Sequence, residues 1–406
     1  MKNSSRVKAP VFTDTIQTTE DHACGLFITY LNDLRLAALM KKLADLNARK
    51  ESSDQELREL KESIAQLIKS NRGGVKGMHG FIGERVQVAF ANSESLLAGE
   101  SPIYVLIDDN GMTDYLLGDT LVQQKACISD KAFGLTHVLS HAKKYPDFIE
   151  QGGIYQIPKD FFEKYQRFVN MPKETAFKLR KEELRAWEAV QKFHTSAPYI
   201  EVRPMSVTYA EIQVGSVSNT IDNECVKLNR KYEKQKQQAE VSCKATLKEG
   251  LKAAGVSAAL EGVVDAGLSF TDHALKKPVR NFDKSDWKEI SIDGAKGVIK
   301  GGIRGAAVYT ATNVANLSAP IATAGVTAAF GIANDIHGLS TGTLKKSEFV
   351  GSTLEHCTDA LVSTTCARIG EKLIPNPIVG SLLGNAAGML LFGIAKKYIK
   401  SSFKDS

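Results

Sequence analysis

Small residues recur at four-residue steps in the last third of the chain, and that spacing constrains the fold more than any other feature. Gly297, Gly301 and Gly305 form one GxxxGxxxG triplet, and Gly380, Gly384 and Gly388 form a second. Ala254, Ala258, Gly262 and Ala266 keep the same step. Residues four apart lie on one face of a helix. A face of glycine and alanine is flat, so two backbones can approach closely and gain dispersion contact and Cα–H···O bonds. In water each glycine costs a helix about 1 kcal/mol relative to alanine, so a packing reason is implied. Of the 32 glycines, 19 follow Thr246. Residues 253–406 are therefore expected to form a Gly/Ala-rich, glycine-zipper helical domain.

Two settings satisfy such a domain: a tight bundle in water, or a membrane. Pro377–Ala395 carries no charge and is just long enough to cross a hydrocarbon core. Lys396, Lys397 and Lys400 follow it, as a cytoplasmic flank would. Ala306–Asn334 is also uncharged, but Pro320 interrupts it, so a single span and a hairpin both remain open. The partners expected for this domain are a membrane or further copies of the chain.

The front of the chain reads differently. Leu36, Leu39, Leu43 and Leu46 step by 3, 4 and 3, and Leu57, Leu60, Ile64 and Leu67 repeat those steps. Each set makes one apolar helical stripe. Ser53 and Glu56 between them fit a capping box. Residues 1–70 are thus expected to be a polar arm followed by a helical hairpin, packed on its own domain or acting as a coiled-coil self-association arm. Asn71-Arg72-Gly73-Gly74 is a break.

Residues 71–171 alternate between helix and strand patterns. Phe81–Asn92 reads as a helix with Glu84 in its first turn. Ile103–Ile107 is β-rich, and Asp108-Asp109-Asn110-Gly111 suits a tight hairpin. Thr113–Leu117 and Thr120–Ile128 read as strands around a Gly118-Asp119 turn. A helix over Phe133–Lys144 and a short strand at Tyr155–Ile157 follow. Residues 172–252, with a net charge of +4, read as a charged helical linker. The expected fold class is α+β.

Bulk composition limits the function classes. With 43% apolar and 24% charged residues the chain is that of a folded protein. A net charge of +6 permits contact with nucleic acid or an anionic membrane surface and demands neither. Six cysteines without a CxxC pair suit packing in a reducing compartment and supply no zinc site. The first twenty residues lack the apolar core of a standard signal peptide. A cytoplasmic location, with association to the inner membrane, is expected. Walker-type phosphate loops, GxSxG and HExxH are absent, so ATPase, esterase and zincin chemistry has no support.

The strongest chemical signal lies in the strands. Gln123 and Lys125 are two apart, so they share a strand face. Asp114 precedes Gln123 by nine residues, and the Gly118-Asp119 turn can bring the two side by side. Glu84, on the preceding helix, can approach the same point. Carboxylates can hold Mg²⁺, a glutamine carbonyl is a weaker oxygen ligand, and a nearby lysine can orient water or stabilise developing charge. Asp108, Asp109 and Asp119 are rival acids. His137 and His141, four apart on the next helix, can face phosphate or metal, or simply pack.

These residues resemble the PD-(D/E)XK nuclease superfamily, in the Gln-x-Lys branch typified by Mrr-like restriction enzymes, over roughly residues 78–170. The helix with Glu84, the hairpin, the Asp114 strand, the Gln123-x-Lys125 strand and the next helix come in the order of that family. The resemblance implies a Mg²⁺- or Mn²⁺-dependent endonuclease acting on DNA. It places Asp114, Gln123 and Glu84 at the metal and Lys125 at the catalytic lysine. Thr113 stands where a proline is common. The glycine-zipper region is similar to helical regions of bacterial toxin and anti-phage defence proteins. The function expected is a metal-dependent DNA endonuclease joined to a membrane-associating or self-assembling helical domain. The alternative is a membrane-inserting, pore-forming or scaffold protein whose nuclease-like domain is inactive.

Overall fold

The computed structural model describes residues 10–71, 74–109, 111–127 and 132–402. The start of the expected N-terminal arm, Arg72-Gly73 of the expected break, Asn110 of the expected hairpin turn and Ile128 of an expected strand lie outside them. The protein is α+β and mostly helical, with one five-stranded mixed sheet among the described residues. It divides into two compact units, residues 39–242 and residues 1–38 with 243–406.

The hairpin expected within residues 26–68 is instead one continuous helix, α1 (Pro10–Ser70). Glu51-Ser52-Ser53-Asp54 contains neither proline nor glycine, so nothing breaks the backbone ladder there. The buried Ser53 hydroxyl does not cap a helix but donates to the carbonyl of Ser93 at 2.8 Å on α2 (Gly74–Ala98). The helical pair is therefore α1 with α2. Leu57, Leu60, Ile64 and Leu67 are buried against Met78, Ile82, Val86 and Phe90. The first leucine stripe is buried only at Leu46, and Leu36 stays exposed.

The sheet runs in chain order: β1 (Tyr104–Leu106), β2 (Tyr115–Leu117), β3 (Thr120–Gln124), β4 (Ile154–Ile157) and β5 (Val202–Pro204). The first three strands form an antiparallel meander, and β3–β4 and β4–β5 are parallel. Gly118, at φ +58°, makes the tight turn between β2 and β3. Parallel strands need crossovers. One is supplied by α3 (Leu135–Lys144) and α4 (Pro146–Glu150), the other by α5 (Lys159–Val169), α6 (Lys173–Ala176) and α7 (Lys181–Ser196). Residues of α3, α4, α5 and α7 bury one sheet face around Tyr155 and Ile157. On the other face Val88 of α2 packs against Tyr115, Val122 and Ile154.

Of the stretch read as a charged linker, residues 172–242 belong to this unit and 243–252 to the other. It supplies α7, the edge strand β5 and α8 (Val217–Ser242), whose Val217, Ile221 and Leu228 join the α1–α2 core. Its exposed charge is a solvated face, as in the ion pair of Lys231 with Glu94 at 2.9 Å.

The other unit comprises the start of α1 with α9 (Leu247–Lys276), α10 (Lys284–Asn313), α11 (Ala319–Ser340), α12 (Lys346–Leu373) and α13 (Pro377–Ser402). Capping boxes begin α9 at Thr246 and α10 at Asp283. Pro320 sits in the first turn of α11, where its missing N–H costs nothing. The uncharged run 306–334 is thus two helices, not one span.

Both glycine triplets find partners inside the chain. Gly297, Gly301 and Gly305 lie against Glu261, Ser257 and Ala253 of α9; a Cβ at Gly297 would meet the Glu261 carbonyl at 2.5 Å. Gly380, Gly384 and Gly388 lie against Gly370 and Cys366 of α12. The four-residue step therefore builds two close-packed helix pairs within one chain.

Candidate active site

Asp114 lies one residue before β2. Tyr115 pairs with Val122, so Asp114 stands across from Gln123 on β3. The Asp114 N–H donates to the Val122 carbonyl at 2.9 Å, which extends the ladder to this position. Gln123 donates its side-chain amide to Asp114 Oδ2, and the Gln124 N–H donates to the same oxygen at 2.6 Å. The juxtaposition expected from the Gly118-Asp119 turn is present. Lys125 falls just past β3, its N–H still held by the Gln156 carbonyl at 2.8 Å.

Glu84 comes within electrostatic range of Asp114 and Lys125 because α2 is fastened to the sheet. Gln124 donates from Nε2 to the Gly80 carbonyl at 3.2 Å. Gly83 leaves room for that side chain: a Cβ there would meet Gln124 Nε2 at 2.5 Å. Where the chain leaves β3 for the crossover, Gly134 caps the start of α3 at φ +85°, a conformation glycine favours. A Cβ on Gly134 would lie 3.1 Å from the Lys125 carbonyl.

The electrostatics follow from the shared burial of these groups. Burial and the Asp114 charge push the Glu84 carboxyl up to about 8. Burial also raises Asp114, opposed by the Lys125 ammonium and the hydrogen bonds from Gln124 and Gln123. Burial lowers Lys125, opposed chiefly by Asp114, with a contribution from Glu84. Glu84 thus keeps its proton at neutral pH, and a divalent cation taking the place of that proton would let both half-buried carboxyls ionise.

The donor set fits an oxygen-preferring cation of the Mg²⁺ class. Among the described residues no group of three or more His, Cys, Asp or Glu side chains is arranged around an ion. Two carboxylates and the Gln123 amide oxygen are the set available, with water for the remainder. Gln123 presents its N–H to Asp114, so service as a ligand requires its amide to turn over. Thr113 Oγ1 and Gln124 Oε1, on either side of the constellation, are buried without a hydrogen-bond partner.

The rival acids Asp108 and Asp109 lie close enough to raise Glu84 and Asp114, but each has a partner of its own. Asp108 pairs with Arg85 at 2.9 Å, Asp109 accepts from the Gly111 N–H at 2.7 Å, and Asp119 is exposed in the turn. His137 and His141 lie on α3. The His141 ring packs against Tyr145 and Phe148, with Nδ1 2.8 Å from the Tyr155 hydroxyl. Burial and the nearby charges of Lys125 and Lys144 push this imidazole down to about 4, so it stays neutral. Tyr155 is fully buried and stands on β4 beside Gln123 of β3. The sequence reading missed Gln124 and Tyr155; the Gly80-x-x-Gly83 spacing on α2 was the available sign that a side chain passes close to that helix.

Compared with known proteins, the chain matches no protein-family model, no curated protein and no solved structure.

Proposed function

We propose that the protein is a metal-dependent DNA endonuclease whose helical unit associates with a membrane. The observation carrying the nuclease reading is the meeting of Asp114, Gln123, Lys125 and Glu84 at the β2–β3 pair. The helix with Glu84, the Asp114 strand, the Gln123 strand and the next helix come in the order that the resemblance implies.

Glu84, Asp114 and the Gln123 carbonyl would hold a Mg²⁺ or Mn²⁺ ion, which polarises a phosphate oxygen and acidifies a bound water. Lys125 donates from Nζ to the attacking water or to the developing phosphate charge, where a buried cation acts strongly. Gln124 and Gly83 keep α2 close enough for Glu84 to take part.

Plasmid nicking in Mg²⁺ is the test. Wild-type protein nicks, and Asp114→Ala and Lys125→Ala each abolish nicking. Cleavage retained in both variants sinks the assignment.

The membrane part rests on composition and length. Among the described residues, stretches within Thr18–Ser70, Val217–Lys276 and Pro377–Lys396 are long and apolar enough to cross a bilayer, and the last has a mean hydropathy of 1.8. The alternative, a membrane-active protein with an inert nuclease-like domain, draws on the same stretches. It predicts vesicle leakage that survives Asp114→Ala and is lost on Gly384→Leu.

A further inference from the structure

The α12–α13 pair is built with its polarity reversed. Large aliphatic residues face outward on both helices, with Thr358 and Thr365 exposed among them on α12: Leu361 is 69% exposed, Leu391 70% and Ile394 61%. Its inward residues are polar: Ser381 and Asn385 have no exposure at all. Ser363 donates to Asn385 Oδ1 at 2.6 Å, and His22 of α1 bonds the Ser381 hydroxyl. A protein surrounded by water places these classes the other way round.

The charges obey the same rule. Residues 349–367 of α12 include Glu355 and Asp359, yet neither is fully exposed. Both turn to Lys396 at the end of α13, at 3.1 and 2.5 Å. Residues 377–395 of α13 hold no charge. Each stretch is about 28 Å of helix, near the thickness of a hydrocarbon core. Ionisable groups inside lipid survive by facing the protein interior and pairing.

We infer that the outward stripe of this pair, Leu354 and Leu361 on α12 with Leu383, Leu391 and Ile394 on α13, lies in bilayer hydrocarbon, while the glycine seam stays closed around its polar contacts. The occupant is lipid rather than a second copy of the chain, because α13 is long and apolar enough to cross a bilayer and is uncharged over that length, while the acids of α12 turn to its Lys396. This inference rests on the membrane reading above and adds to it which surface meets lipid.

Tryptophan placed on the stripe tests it. Leu361→Trp and Leu391→Trp would be made separately in full-length protein carrying Trp287→Phe. Each is mixed with vesicles of phosphatidylcholine and phosphatidylglycerol, with or without bromine on the acyl chains. Emission at either position is expected to fall about twofold or more in brominated vesicles relative to Trp187 in the other unit. Ile394→Trp repeats the test should either leucine variant fail to fold. Co-sedimentation with vesicles without quenching at these positions overturns the inference and leaves membrane association standing. Quenching that stays absent while the protein is oligomeric assigns the stripe to a second copy and also overturns it. Failure to co-sediment overturns both.

Discussion

Gln123 and Asp114 face each other across the β2–β3 pair, the amide of one donating to the carboxylate of the other. That contact makes Gln123 a neutral neighbour for a buried acid. Gln123→Glu would set a second carboxylate there and remove the donor. Leaving a buried polar group unpaired costs on the order of 1–3 kcal/mol, and a charged one more, so thermal unfolding without metal should fall by several degrees. Added Mg²⁺ should raise the unfolding temperature more in Gln123→Glu than in wild type. Differential scanning fluorimetry with and without Mg²⁺ reads both shifts; an equal response to Mg²⁺ would remove Gln123 from the metal site.

Glu84 gives a pH signature. Its carboxyl titrates near 8 in the folded protein, well above the ordinary carboxylate range. The folded state therefore holds a proton that the unfolded chain has lost. The stability tied to Glu84 is full below the unfolded value, near pH 4.3, and is lost as pH rises through about 8. Urea unfolding of metal-free protein from pH 5 to 9 should show this decline, and Glu84→Gln should flatten it. Saturating Mg²⁺ should flatten it too, because the cation takes the place of the proton. An undiminished decline in Glu84→Gln would assign the effect to another group.

Gly83 controls the approach of α2 to the sheet. An alanine Cβ there would meet Gln124 Nε2 at 2.5 Å and Ile212 Cδ1 at 3.3 Å. The flexible glutamine end can move, and alanine favours the helix by about 1 kcal/mol, so global stability should change little. The bond from Gln124 to Gly80 should be displaced. Misplacing Glu84 by a fraction of an ångström should lower nicking about tenfold or more. Unchanged nicking together with an intact fold would show that this fastening does not position Glu84.

Glycines of the helical unit should respond with opposite signs. A Cβ on Gly301 would meet Glu261 Cβ at 2.8 Å and press on the Ser257 backbone, so Gly301→Ala must separate α10 from α9. A loss of about 1–3 kcal/mol is expected. Gly325, in α11, has nothing within 4 Å of an added Cβ. Gly325→Ala should gain up to about 1 kcal/mol. Thermal unfolding of the two variants provides the comparison; equal behaviour would contradict the assignment of Gly301 to a helix seam.

Local features were legible from the residues alone. Glycine at every fourth position determined that helices in the last third pack backbone to backbone, because the step matches the helical repeat and glycine without a packing role is costly. The tight turn at Gly118-Asp119 determined that Asp114 and Gln123 meet, because a two-residue connection leaves the strands one register. Tertiary structure decided what local pattern does not encode. Ser53 could cap a helix or sit inside one, and contact with Ser93 settled it. Residues 172–252 looked like a solvated linker because their exposed charge hides a buried face, and only the vacant side of β4 and the α1–α2 core reveal that face up to Ser242. Each glycine stripe required a close partner, and the folding of α9 onto α10 and α12 onto α13 determined which. Periodicity specifies a surface, whereas its partner is chosen by long-range packing among every surface the chain offers.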